Sequence, residues 1–409
     1  MDTLKPNVLG IDRSGYKFFV DRSGEPIISP ARYNVFFMTK PVHVPTVRLA
    51  DLSGLLVIDT EDAKAIGELT RSLHAIAPLH RIVALAERHL EVVAALREEL
   101  HIPGMSVAET LPFRDKLLMK ERVAAAGIRV PEFHSLRSPL DAEPLLRKHR
   151  KIIIKPVAGM GTKDTFGISS LDELQHLAAR DDLAFDQFEA EEFIEGPMYH
   201  VDGIVAGGEV LVATPFRYTD SDLEYEKCDW IADIQETNPT LVARMLDQHE
   251  RVVKALGLEA GTTHLECFLT PSDELVFCEV AARPGGWAMM DMFEALHGLD
   301  LRRIAIEFQL GLGFSGVSRA RVGCVGEIVF YPRPGRVERV STPREFSDDW
   351  IHHVRIKPAA GDTLKRPIMS GDVAAAFVVT GDTEVEVTDR LAAVRARFVL
   401  EVVDVPTSG

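Results

Sequence analysis

The chain reads as a mixed α/β (α+β) protein in three parts, and three observations predict this. Through residues 1–110, short apolar runs alternate with amphipathic helical stretches, the pattern of a parallel strand–helix layer. Residues 111–318 hold a lysine-bearing helix, an isoleucine-rich strand with a glycine loop, and an acidic hairpin. Residues 319–409 are dominated by apolar strand patterns.

In the first part the expected strands are Asn7–Gly10, Asn34–Met38, Leu55–Ile58 and Ile82–Leu85. Ala63–His74 and His89–Leu100 carry the i, i+3, i+4 apolar spacing of helices. Arg114–Gly127 is a helix that stops at its glycine, with Pro131 beyond as a second stop signal. Lys151–Pro156 is a strand that runs into the loop Ala158–Gly167, and Leu171–Ala179 is helical. Glu191–Ile194 and Glu209–Thr214 are strands, whereas 217–240, with Tyr218, Tyr225, Lys227 and Trp230, shows no strong period. Leu241–Leu256 is a helix capped by Gly257, and Asp291–Leu310 reads as one further helix. The tail offers four strands, Val325–Tyr331, Val354–Pro358, Ala375–Gly381 and Ala396–Val405.

A length of 409 residues suits two or three domains. The net charge of −16 argues against a general nucleic-acid binder, which needs a basic surface to neutralise phosphates. No apolar run is long enough for a membrane-spanning helix, and the N-terminus lacks the apolar core of a signal peptide. The four cysteines show no CxxC spacing, and reduced, buried thiols are expected in a cytoplasmic protein.

The segment Gly261–Gly286, GTTHLECFLTPSDELVFCEVAARPGG, carries the sharpest chemical signal. A two-residue turn at Ser272–Asp273 sets Glu266 opposite Glu279 on one face of a hairpin. Directly opposed like charges are destabilising there and call for a proton or a cation. Hard divalent ions such as Mg²⁺ take carboxylate oxygens together with substrate phosphates. The same register puts Phe268 and Phe277 on the glutamate face, which argues that the face is covered, and sets Cys267 against Cys278 on the other. Arg283 follows on the glutamate side, placed to reach an anion. Lys155 ends a strand of three isoleucines before a loop in which Gly159 and Gly161 let backbone amides approach phosphate oxygens. The loop is neither a Walker A loop nor a dinucleotide fingerprint.

Four pieces stand in one order. They are Asp115-Lys116 on a helix ending AGIRVP, IIIKP with its glycine loop, EEFIEG, and the paired glutamates followed by Arg283. Together they resemble the ATP-grasp superfamily across residues 80–310. EVAARPGGW is most similar to the bacterial L-amino acid ligases, which are dipeptide synthetases of its carboxylate–amine ligase branch. The resemblance implies an ATP-grasp fold, with residues 1–110 as the pre-grasp α/β domain, 111–318 as the nucleotide- and metal-binding core, and 319–409 as a small strand-rich C-terminal domain.

It implies ATP as the nucleotide, with Lys116 and Lys155 on its phosphates and Gly161 and Thr162 in the covering loop. The hinge Glu191, Glu192, Phe193 and Ile194 would meet adenine, through the backbone of Glu191 and Ile194. Glu266 and Glu279 would hold Mg²⁺, with Mn²⁺ as the alternative ion. Arg283 would stabilise the acyl-phosphate, and Trp287, with Gly285 and Gly286, would bound the amino-acid pocket. Two positions depart from the family pattern: Ala281 replaces a metal-site asparagine, and Met198 a ribose-binding acid, for which His200 or Asp202 would substitute. Expected partners are small molecules and a second copy in a homodimer, with no nucleic acid and no membrane. A bicarbonate- or formate-activating ligase and a non-catalytic nucleotide binder are the alternatives.

Overall fold

The computed structural model describes residues 5–219, 228–316, 318 and 322–404. Tyr225 and Lys227 lie outside them. The first part is the expected parallel layer. Strands β1 (Asn7–Ile11), β2 (Asn34–Thr39), β3 (Gly54–Val57) and β4 (Leu79–Ala84) stand in the order β3-β2-β1-β4, every pair parallel. Helix α1 (Ala63–Ile76) is capped by Asp62, whose side chain accepts the Ala65 N–H, and α2 (Leu90–Glu99) follows β4. Their apolar faces bury Ile66, Leu73, Val93 and Leu96 against Leu9, Ile11 and Ile82. A short helix, α3 (Val107–Thr110), closes this part through a Ser106–Glu109 capping box.

Helix α4 (Lys116–Ala125) opens the second part. Asp115 at its N-cap accepts from Leu117 and Leu118 N–H, which fixes the helix start and puts Lys116 in its first turn. A small antiparallel sheet follows, made of β5 (Phe133–Ser135), β6 (Ile152–Pro156), β7 (Phe166–Ile168) and β8 (Phe188–Glu192) in the order β5-β8-β6-β7. It is backed by α5 (Glu143–His149) and α6 (Leu171–Ala178), which bury Leu145, Leu146, Leu174 and Leu177 against Ile152 and Ile154.

The central sheet has eight antiparallel strands. In chain order these are β9 (Met198–Ala206), β10 (Glu209–Tyr218), β11 (Trp230–Gln235), β12 (Ala260–Leu269), β13 (Leu275–Ala281), β14 (Cys324–Phe330), β16 (Ile351–Ile356) and β18 (Ala375–Gly381). They lie in the order β13-β12-β9-β10-β11-β14-β18-β16. Helices α7 (Pro239–Leu256), α8 (Met289–His297), α9 (Leu301–Gln309) and α10 (Glu384–Arg397) complete the α-helices among the described residues. A three-stranded sheet of β15 (Gly335–Val340), β17 (Thr363–Leu364) and β19 (Leu400–Val403) sits apart.

The structure departs from the sequence reading in several places. Strand β11 occupies part of the stretch 217–240 that showed no period. Asp291–Leu310 is two helices, because Gly298 ends α8 in a left-handed conformation and Asp300 caps α9 through the Arg302 N–H. Helix α10 lies where no helix was expected and takes in the first residues of the Ala396–Val405 strand, although Thr383 and Glu386 mark its start. The strands on either side of residue 318 share one sheet through the β11–β14 pair.

The hairpin keeps its central pair. Glu266 opposes Glu279 and His264 opposes Ala281, but the register then slips by one, so Cys267 pairs with Phe277 and Phe268 with Val276. The turn is one residue wider than expected: the Thr270 N–H donates to Glu274 O, and Asp273 sits at φ 62°. A bulge at Cys278 absorbs the difference. Phe277 therefore packs with Cys267, Val280 and α7 in the core, while Phe268 and Cys278 line the cavity. Cys267 and Cys278 do not face each other, and all four cysteines are free thiols.

Candidate active site

A cavity of about 590 Å³ opens where the three parts meet. It is lined from the first part by Glu87, from α4 by Lys116, and from the small sheet by Lys155 and Glu191–Ile194. Glu266, Glu279 and Arg283 through Trp287 close it from the hairpin. Residues far apart in sequence, several of them charged, thus converge on one space, a size typical of small-molecule sites.

The lysines are already paired with carboxylates. Lys116 Nζ lies 3.0 Å from Glu279 Oε2 and donates to Gly159 O at 3.0 Å. Lys155 Nζ lies 2.6 Å from Glu191 Oε1. Burial alone would raise the Glu279 carboxyl, but the ammonium groups of Lys116 and Lys155 overcome it and hold the group at about 2. Glu279 is therefore an anion at neutral pH. Glu266 accepts from the Tyr218 hydroxyl at 3.1 Å and stands 3.4 Å from His264 Nε2. Two opposed carboxylates, one of them firmly ionised, form an oxygen donor set that fits a hard divalent cation.

Arg283 is fixed from the first part. Its Nε and Nη2 both donate to Glu87 Oε2, at 2.8 and 2.6 Å, and its Nη1 donates to Pro284 O. Glu87 also pairs with Arg114, whose Nη2 reaches Ala158 O at 2.7 Å. Burial pushes the Glu87 carboxyl up, and Arg283 and Arg114 more than reverse it. Sequence reading missed Glu87. It lies three residues past the end of β4, in a position where acidic residues are ordinary, and only the fold brings it to Arg283.

The hinge differs in part from expectation. Glu191 lies inside the small sheet, in register with Phe133 on one side and Ile153 on the other. Its backbone is committed to strand pairing, so it does not read adenine as expected. Its side chain instead enters a buried cluster with Lys155, Lys120 and Glu189. The Glu192 N–H donates to Glu132 O and the Phe193 N–H to Lys151 O. Among the described residues the Ile194 N–H makes no hydrogen bond, which leaves it free for a ligand at the end of the strand. Gly196 must be glycine, because an added Cβ would lie 2.0 Å from Leu269 O.

His200 and Asp202 do not line the cavity. Both are fully buried in β9, the strand between β10 and β12, which overturns the expectation that either holds ribose. Asp202 bridges two imidazoles, His200 Nδ1 and His264 Nδ1, each at 2.9 Å. His264 does reach the cavity. Burial opposes its protonation, but Asp202 and Glu266 outweigh that and raise it to about 10. The three residues could offer metal ligands, yet both Asp202 oxygens already meet an imidazole nitrogen at hydrogen-bond length.

The loop Ala158–Gly167 arches over the cavity, with Gly161 and Thr162 among its lining. It touches the C-terminal part through the Ser370 N–H, which donates to Gly161 O at 3.0 Å. Gly285 is packed so tightly that a Cβ would meet Met289 Sδ at 2.8 Å and Asp202 Oδ1 at 3.0 Å, whereas Gly286 faces open space. Trp287 meets the Tyr218 ring edge-on at 5.8 Å.

Three family models match successive stretches of the chain. An ATP-grasp N-terminal domain matches residues 33–104 and an ATP-grasp domain residues 113–286. An L-amino acid ligase C-terminal domain 2 matches residues 327–403. Among curated proteins, an L-arginine-specific L-amino acid ligase from Bacillus subtilis is 24% identical over 379 residues, covering 91% of this chain and 92% of the relative. Among solved structures, an L-amino acid ligase from Bacillus licheniformis superposes with a TM-score of 0.81 at 18% identity, over 98% of this chain and 99% of that one. The biotin carboxylase domain of the Hydrogenobacter thermophilus 2-oxoglutarate carboxylase, solved with MgADP and bicarbonate, gives 0.73 at 15% identity over 98% and 92%. No helix among the described residues is long and apolar enough to cross a membrane.

Proposed function

The chain is an ATP-grasp protein most like the L-amino acid ligases, and on that premise we propose that it forms a peptide bond between two L-amino acids at the expense of ATP. The carboxylate of the first substrate attacks the γ-phosphorus of ATP. The bond from that phosphorus to the β,γ-bridging oxygen breaks, and ADP leaves. The amine of the second substrate then attacks the acyl carbon, loses a proton, and displaces inorganic phosphate.

One observation carries the reading: opposed Glu266 and Glu279 share a cavity with Lys116, Lys155 and Arg283 in an acidic chain. Phosphoryl transfer depends on positioning and on neutralising charge. Lys116 and Lys155 are the phosphate ligands in this reading, exchanging their carboxylate partners for phosphate oxygens. Glu266 and Glu279 would hold Mg²⁺ or Mn²⁺, which would neutralise charge on the phosphate oxygens when bound. The free Ile194 N–H is the adenine contact. Arg283, held rigid by Glu87, directs its guanidinium to the acyl-phosphate and to the tetrahedral species that follows. The loop Ala158–Gly167 excludes water, which would hydrolyse the acyl-phosphate.

The test is ADP release over a matrix of paired L-amino acids, with masses of the products. At least one pair is expected to raise ADP release well above the ATP-only rate and to yield a dipeptide. A chain that turns over ATP only with bicarbonate, or with no acid at all, contradicts the proposal. Within the active pairs, Trp287→Ala is expected to shift acceptance toward bulkier side chains, read as a changed ratio of kcat/KM between large and small substrates.

A further inference from the structure

Trp287 holds a backbone conformation that non-glycine residues seldom adopt, at φ 43°. Such a setting is strained and persists only where the surroundings impose it. Here they do so through one peptide group. The Trp287 carbonyl accepts from Arg355 Nη2 at 2.9 Å, and the Ala288 N–H donates to Glu327 Oε2 at 2.8 Å. Both polar groups of the Trp287–Ala288 peptide are therefore gripped from opposite sides. The indole Nε1 makes a third contact, donating to Ser370 O at 2.7 Å, an oxygen that also accepts from the Tyr331 hydroxyl.

All three partners of Trp287 and Ala288 lie beyond residue 318, on or beside the C-terminal strands that extend the central sheet. Glu327 is fully buried on β14, directly opposite Asp233 on β11. Burial, reinforced by Asp233, drives its carboxyl well above the ordinary range, so it serves as a neutral acceptor at the end of a buried acid pair. The indole also meets the ring of Tyr218, whose hydroxyl bonds Glu266. The ring is thus held between Ser370 and Tyr218 of β10, which in turn contacts Glu266 of the hairpin.

We propose that Glu327 and Arg355 are positioning residues that fix the Trp287–Ala288 peptide and so set how the indole bounds the amino-acid pocket. The C-terminal part thereby tunes substrate choice by way of Trp287, with Glu327 outside the cavity and Arg355 at its wall. The idea rests on reading this cavity as an amino-acid site, and its test is built to separate the two.

Arg355→Met and Glu327→Leu each remove one grip, and Glu327→Gln keeps an oxygen acceptor for the Ala288 N–H. In steady-state ADP release, the first two variants are expected to raise KM for the amino acid that Trp287 confines by about tenfold, the scale of a small misplacement. They should leave KM for ATP within twofold and improve the relative use of larger amino acids. Glu327→Gln should return close to wild type. A second readout needs no turnover. The chain has 3 tryptophans, and Arg355→Met is expected to shift the tryptophan emission of the ligand-free protein. That shift should vanish in a Trp287→Phe background.

An Arg355→Met protein with wild-type thermal stability, unchanged emission and an unchanged amino-acid profile overturns the proposal. So does a parallel rise in KM for ATP and amino acid, which marks general loosening. Should Glu327→Leu fail to fold, the half-buried Arg355 carries the test alone. If the wild type uses no amino acid, the proposed function fails, and the emission comparison still decides whether the grip exists.

Discussion

Replacing Glu279 with glutamine is expected to lower kcat by about a thousandfold or more, because losing a metal-held anionic ligand removes several kcal/mol of charge stabilisation. Glutamine matches glutamate in size, so the change isolates charge. Two consequences combine. In the proposed site the divalent cation would lose one of two opposed oxygen ligands, and in the ligand-free protein Lys116 loses the carboxylate 3.0 Å away. The requirement for free Mg²⁺ should rise along with the loss of rate.

Stability gives an independent reading. The folded-state carboxyl of Glu279 titrates at about 2, below its ordinary 4.5. Ionised Glu279 therefore favours the folded protein above about pH 4.5, and this contribution fades as pH falls toward 2. The glutamine variant should thus be slightly less stable than wild type at pH 7 in the absence of metal, with the difference shrinking in acid. Thermal unfolding across pH checks this. A variant with wild-type kcat at saturating Mg²⁺ would remove Glu279 from the metal site.

The second large effect is at Arg283. Arg283→Met is expected to cost about 10²–10³ in kcat, the scale of removing one preorganised donor from a developing oxyanion. KM for ATP should change far less, because Lys116 and Lys155 remain. Arg283→Lys should recover little. Two guanidinium nitrogens are already committed to Glu87 Oε2 and a third to Pro284 O. A single ammonium cannot hold that anchor and face the substrate as well. Single-turnover ADP formation and product formation, measured separately, locate the defect. A loss confined to ATP binding would contradict the role assigned to Arg283.

The legible part of this protein was local. The N-terminal parallel layer followed from alternating strand and helix patterns. Lys155 is legible because it ends a strand just before a glycine loop, and Lys116 only from its place in the order of the four motifs. The Glu266–Glu279 pair was found by assuming a two-residue turn. The actual turn is wider, and the bulge at Cys278 compensates for it before the glutamates are reached. The pair was right, but the residues between were not. Phe277 and Cys278 are both apolar, so the pattern could not show which of them turned inward.

What stayed hidden was long-range. Glu87 and Arg283 are 196 residues apart, and nothing in either neighbourhood points to the other. His200 and Asp202 look like polar cavity residues in sequence. They are buried because β9 is an inner strand of an eight-stranded sheet, and strand order is not written in local pattern. The continuity of that sheet past residue 318, which sets Glu327 behind Trp287, was hidden for the same reason.

In the proposed reaction a carboxylate is activated by phosphoryl transfer before the amine attacks, and oxygen-18 transfer measures that directly. The first amino acid is supplied with both carboxylate oxygens labelled, and the released phosphate is analysed by mass. One labelled oxygen in each phosphate, matched one to one by ADP and dipeptide, is the predicted result. Dipeptide formed with unlabelled phosphate, or with AMP and pyrophosphate in place of ADP, would contradict it.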